Sequence, residues 1–141
     1  MSTRLRNQRG QALLETAITL PIILLVSVGI FEFGRAYQVQ QVLTNAAREG
    51  ARVAVLPGIT DAVVTATVRT YLTDGGLTPV DPVIVRTVPF NGSTTIMASR
   101  VTISYPFNFM VLNPVVRLIT PSSALGAGVL TMQAATLMRN E

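Results

Sequence analysis

Sixteen consecutive residues, Thr16 to Phe31, carry no charge and read TAITLPIILLVSVGIF. As a helix they span about 24 Å, a little short of the roughly 30 Å hydrocarbon core of a bilayer. Ala12, Leu13 and Leu14 extend the apolar run at one end, and Phe33, Ala36 and Tyr37 extend it at the other. Phe31, Phe33 and Tyr37 fit an aromatic belt at the far interface. The pattern predicts a transmembrane helix over residues 11–37. A removable secretory signal peptide is one alternative. It needs a small-residue A-x-A site behind the apolar run, and Phe31-Glu32-Phe33-Gly34-Arg35 is a poor one. A buried core helix is another, but a chain of 141 residues offers little core to cover a helix that is apolar all round.

The pattern then becomes one-sided. Val39, Val42, Leu43, Ala46, Ala47, Gly50 and Val53 recur at three- and four-residue spacing, with Gln38, Gln41, Asn45, Arg48 and Arg52 opposite. Pro57-Gly58 stops this helix. A rod from Gln11 to Leu56 is about 69 Å long if straight. Its second half needs a partner, and its own C-terminal region is the natural one. Thr60 is placed to cap a second helix, with Asp61 in its first turn, Arg69 near its end, and an apolar stripe of Val64, Val68, Tyr71 and Leu72. Asp74-Gly75-Gly76 ends it. Val83 to Val88, between Pro82 and Pro89, predicts an edge strand. Asn91-Gly92 is a turn signal. Val101, Ile103 and Tyr105 alternate with Arg100, Thr102 and Ser104, as in a strand with one buried face. Three prolines over 106–121 predict a loop for 107–123. Residues 125–138 fit helix or strand by periodicity, and strand is preferred because a three-stranded sheet over the amphipathic helix buries more apolar surface. The fold class expected is α+β: a long N-terminal transmembrane and amphipathic helix, a second helix, and a small antiparallel sheet packed on it.

Composition narrows the chemistry. Charged residues are 13% of the chain, about half the share usual in soluble domains. There is no Cys and no His, so thiolate sites, disulfides and the commonest general base are excluded. No enzyme activity, cofactor, metal or small-molecule substrate is expected. All eleven basic residues are Arg. Arg4, Arg6 and Arg9 precede the apolar run, and from Gln11 onward eight Arg face seven acids. This is an N-terminal tag rather than a basic stripe on a folded face, so nucleic acid is not an expected partner. The tag favours a cytoplasmic N-terminus and an extracytoplasmic C-terminal domain.

Four places stand out as functional. A short basic leader ends at Gly10, and Glu15 sits five residues on, at the entrance to the apolar segment. A carboxylate there is costly, by roughly 2.5–3.5 kcal/mol at the bilayer centre, and marks a functional residue or a simple interfacial one. Cleavage between Gly10 and Gln11 would put a new α-amine four residues from Glu15, a spacing that allows an ion pair within a subunit or between neighbours. Pro21 removes the backbone bond to Ala17 and is expected to kink the membrane helix. Glu32 and Arg35 are three apart and can pair at the outer interface, as a subunit contact or as a simple interfacial pair.

The leader and Glu15 resemble the class III signal sequence of type IV pilins and pseudopilins. That resemblance implies a prepilin peptidase that cuts after Gly10 and an acid that helps the subunit enter a filament. The stretch from Gly10 to Arg52 is similar to the TadE-like family of tight-adherence (Tad, or Flp) pilus assembly proteins. The matching elements are Gly10-Gln11-Ala12, Glu15, Leu20-Pro21, Glu32-Phe33-Gly34-Arg35 and Asn45-Ala46-Ala47-Arg48-Glu49-Gly50-Ala51-Arg52. Weaker features lie at 101–107 and in the small-residue ending. The major Flp pilin has Tyr directly after the acid, where this chain has Thr16. The resemblance therefore implies a minor pilin or pseudopilin acting in pilus assembly and surface adhesion, with a pilin-like architecture. A membrane-anchored extracytoplasmic binding module that never polymerises is the alternative. The organisation expected is a leader over 1–10, a transmembrane helix over 11–37, and an extracytoplasmic domain over 38–141 whose first part, 38–56, continues the helix. The partners implied are the lipid membrane, a prepilin peptidase, the Tad machinery and other pilin-like subunits. The location implied is the plasma (inner) membrane in single-pass form, with entry into a surface pilus left open.

Overall fold

The computed structural model describes residues 8–111, 113–114 and 129–140. They form α1 (Gln8–Ala54), α2 (Asp61–Asp74), β1 (Val83–Phe90), β2 (Ser93–Phe107) and β3 (Leu130–Arg139). The three strands make one antiparallel sheet in the order β1-β2-β3. This is the α+β arrangement expected. Arg4 and Arg6 of the leader, most of the loop expected over 107–123, and residues 125–128 lie outside the described residues.

One helix serves two environments. From Gln11 to Ser27 every residue of α1 is exposed, and the head covers none of them. From Val39 to Ala54 one face is buried: Val39, Leu43, Ala46, Ala47, Ala51 and Ala54. These residues join Val64, Val68 and Leu72 of α2 with Val101, Ile103, Phe107 and Ala134 of the sheet in one core. Both α2 and the sheet pack on α1, which is therefore the shared element of the head.

Small residues let these elements approach. Gly50 lies where three elements meet: a Cβ there would fall 2.6 Å from Val68 of α2 and 3.3 Å from Val101 of β2. A Cβ on Gly75, just past α2, would fall 2.5 Å from Val42 of α1. Alanines at 46, 47, 51 and 54 keep the same face shallow.

The turns follow their local chemistry. Asn91 and Gly92 both have positive φ, 51° and 75°, between paired Phe90 and Ser93. That is a two-residue hairpin turn of the mirror-image type, which matches strand twist. At the end of α2 the N–H of Leu77 donates to Leu72 and that of Gly76 to Thr73, both at 2.9 Å. Gly76 takes φ 75°, so this is a Schellman stop. The capping expected of Thr60 takes another form. Its hydroxyl makes no cap bond, and Asp61 instead receives Arg86 Nε at 2.7 Å. Tyr71, expected in the buried stripe, is exposed: it lies about 100° round the helix from Leu72, off the Val64–Val68–Leu72 line. β1 runs two residues beyond Val88 and passes through Pro89, which an edge strand tolerates.

Arg86 braces the corner between the helices and the sheet. From β1 it donates to the carbonyl of Ala54 at 2.6 Å, at the end of α1, and to that of Ile59 at 3.0 Å. Its bond to Asp61 adds the start of α2. A rigid planar fork is the side chain able to meet three such acceptors at once.

Candidate functional site

The bare half of α1 carries the first group of expected site residues. Gly10 and Gln11 lie inside the first turns of α1, and both are exposed. Glu15 is exposed on the same stretch, and among the described residues its carboxylate has no hydrogen-bond or ionic partner. Its only neighbourly bond is through the backbone, where its carbonyl accepts the Thr19 hydroxyl at 2.7 Å. Thr16 and Ser27 return their hydroxyls to Ala12 and Ile23 in the same way, at 2.9 and 2.8 Å. Side-chain donors are thus satisfied within the helix, as a lipid environment requires. Helical geometry continues unbroken through Pro21. The structure leaves Glu15 as the one carboxylate on this bare segment, with Leu13, Leu14, Ile18, Leu20, Ile22 and Ile23 exposed around it.

The second group is assembled where the head begins. Glu32 is fully buried, a rare state for a carboxylate unless it is paired. Its Oε2 accepts from Arg35 at 3.2 Å, one turn along α1. Its Oε1 accepts the backbone N–H of Val111 at 2.6 Å. The Arg35 guanidinium also donates to the Asn108 carbonyl and lies 4.6 Å over the ring centre of Phe107. Arg35 Nε is buried without a hydrogen-bond partner, facing a site where the ring supplies the attraction for the cation. Two edge-on aromatic contacts complete the unit: Phe107 with Phe109 at 5.2 Å, and Phe109 with Phe33 at 6.2 Å.

Glu32 and Arg35 therefore form a pair, as their spacing allows. They also hold the segment 107–111 against α1. Helix propensity fixes the pair, and the C-terminal end of β2 delivers the loop to it. Spacing along the chain exposes only the first of these partners. The loop's share of the site had no signal beyond the apolar cluster Phe107, Phe109, Met110 and Val111.

Two further ionic contacts are superficial. Arg69 grips Asp81 through two bonds of 2.6 and 2.9 Å, with both side chains more than half exposed. Arg52 meets Glu49 one turn apart on α1 at 2.5 Å. That contact with Arg52 holds the Glu49 carboxyl below its ordinary value. Asp61 and Asp81 are thus engaged by arginines, and no cluster of three or more metal-ligating side chains occurs among the described residues.

α1 from Gly10 is long and apolar enough to cross a membrane, and its most apolar stretch has a mean hydropathy of 2.2 with none of it buried. No curated protein and no solved structure matches the chain. Residues 10–52 match the family model described as TadE-like protein. That match begins at Gly10 and takes in Glu15, Pro21, the Glu32–Arg35 pair and the alanine face as far as Ala51. Over this long helix, and there alone, the chain is similar to the TadE-like proteins.

Proposed function

We propose that the protein is a minor pilin- or pseudopilin-like component of the tight-adherence pilus, acting in its assembly and in surface attachment. The supporting observation is the division of α1. Its first half is an uncovered apolar rod with a lone carboxylate at Glu15, and its second half is the core of a folded head. The rod inserts in the plasma membrane, with the arginine-tagged end in the cytoplasm and the head outside. A prepilin peptidase cuts after Gly10. Because Gly10 lies in the first turns of α1, that end of the helix unwinds to be cut. The new amine of Gln11 and the Glu15 carboxylate then give neighbouring rods a complementary pair of charges in an apolar setting, where such a pair is strong. The same rod packs among other pilin-like subunits when it leaves the bilayer.

Intact-mass measurement of the mature chain tests the processing step. The expected product starts at Gln11, and an intact Met1 in cells that contain the peptidase overturns it. Shearing separates the two roles. Recovery with sheared pili supports the filament role. Complete retention in the membrane fraction would make the protein a tethered binding module instead. Deletion of the gene is expected to reduce piliation and surface attachment.

A further inference from the structure

The exposed apolar surface of the rod does not stop where the head begins. If residues 11–30 fill the hydrocarbon core, about 30 Å at 1.5 Å per residue, Glu32 stands at its outer boundary. The loop tied to Glu32 is therefore held at that same depth. The Val111 N–H is 2.6 Å from the carboxylate, and Phe109 rests edge-on against Phe33. At the end of this segment Met110 is 66% exposed and Val111 is 41% exposed, with Phe33 of the rod at 65%. Segment 107–111, FNFMV, contains no charge. Of the two charges nearby, Glu32 is buried, and Arg35, 31% exposed, is bonded to Glu32 and to the loop backbone. Besides exposed Asn108 and the partly exposed Arg35, what faces outward at this level is apolar and aromatic on both the rod and the loop.

We propose that segment 107–111 is a second membrane contact, with Met110 and Val111 entering the lipid interface beside Phe31 and Phe33. The occupant is lipid because this surface is continuous with the lipid-facing surface of α1, at a depth fixed by the Glu32 clamp. Exposed methionine and aromatic side chains suit that zone, where apolar area gains from partial burial. The contact fixes the depth of the anchor and stops the head from tilting away from the bilayer. This inference rests on the membrane reading given above.

The chain has no cysteine, so single-cysteine variants of the full-length protein can be labelled cleanly. Met110→Cys, Leu24→Cys and Thr87→Cys each place an environment-sensitive fluorophore at an exposed position. The labelled proteins go into phosphatidylcholine–phosphatidylglycerol vesicles containing lipids with a nitroxide near the headgroup or near the chain end. The expected result is quenching at 24 mainly by the deep nitroxide, blue-shifted emission and quenching at 110 mainly by the shallow one, and neither at 87. Quenching at 24 with a water-exposed, unquenched probe at 110 overturns the loop contact and leaves the anchor standing. No quenching at 24 overturns the anchor and this inference together. A blue shift at 110 without lipid quenching would mean that another protein surface covers the loop, which also overturns it. Unchanged protease resistance of the head in Met110→Asp confirms that position 110 is not needed for folding.

Discussion

The buried carboxylate of Glu32 accepts a 2.6 Å hydrogen bond from the backbone N–H of Val111, a residue 79 positions further along the chain. It joins the point where α1 leaves its bare segment to the end of the sheet's central strand. Removing the acid leaves the Val111 N–H without its acceptor and the Arg35 guanidinium with the Asn108 carbonyl but no counter-charge. Glu32→Ala is expected to destabilise the head by about 1–3 kcal/mol, the cost of orphaned partners at a buried site. It should also open the chain to proteolysis at 108–111. Glu32→Gln keeps an acceptor oxygen and should lose less. Thermal melts and limited proteolysis in detergent check both. Wild-type resistance in Glu32→Ala would show that the loop is held by its aromatic contacts alone.

Gly50 sets how closely α2 and the sheet come to α1. A side chain there meets the stiff branched Val68 at 2.6 Å and Val101 at 3.3 Å. Gly50→Leu is expected to cost about 1–3 kcal/mol or more through overpacking. Gly50→Ala should cost less, since replacing a mid-helix glycine returns about 0.5–1 kcal/mol. Denaturant titration of the purified chain gives both values. Equal stability of all three proteins would mean that the helices are not in contact at this point.

Arg86 is the test of the corner brace. Arg86→Ala removes donors to Ala54, Ile59 and Asp61 together and is expected to cost about 1–3 kcal/mol. Arg86→Lys should recover little, because an ammonium does not reproduce the planar fork. By contrast, Arg69→Ala breaks an exposed pair with Asp81. That change should cost no more than about 1 kcal/mol, and the cost should fade in high salt. A melting comparison of the three variants at low and high salt distinguishes the roles.

The Glu49–Arg52 pair gives a pH expectation. The folded-state carboxyl of Glu49 lies below its ordinary value of 4.5 because Arg52 bonds its charged form. Its contribution is therefore complete above that ordinary value and is lost as pH falls through the lower folded one. Arg52→Ala should abolish this part of the acid dependence by lowering stability near neutral pH, by no more than about 1 kcal/mol for a pair this exposed, and leave stability below the folded-state value almost unchanged. Stability curves from pH 3 to 7 for the two proteins, on the order of the range over which carboxylates titrate, make the comparison.

Local signals proved sufficient for most of the elements. The apolar run, the alanine-rich face at 39–54, the Asn91-Gly92 turn, the Asp74-Gly75-Gly76 stop and the alternation around Ile103 each have a short-range physical cause. Residues 130–139 differ: periodicity leaves helix and strand open there, and the strand follows from the burial gained when it completes the sheet over α1. Tyr71 shows the weak point of periodicity: a residue next to a stripe passes for part of it. Thr60 shows another, because a cap residue is recognisable from type while its hydroxyl bond depends on geometry. At the candidate site, the Glu32–Arg35 spacing was readable. Val111, Asn108 and Phe107 were not, since only the folded sheet brings them to α1. Arg86 likewise gave no sign of its role, because its three acceptors are separated along the chain and converge only at the corner.

Because α1 is both anchor and core, anchor and head share their mechanical fate. The head has no cooperative interior once Val39, Leu43, Ala46, Ala47, Ala51 and Ala54 are taken away. A soluble fragment cut at the membrane surface must keep that stretch to fold at all. In the intact protein, a pull or twist applied to the rod passes along one continuous helix through those alanines to the residues where α2 and the sheet rest on it.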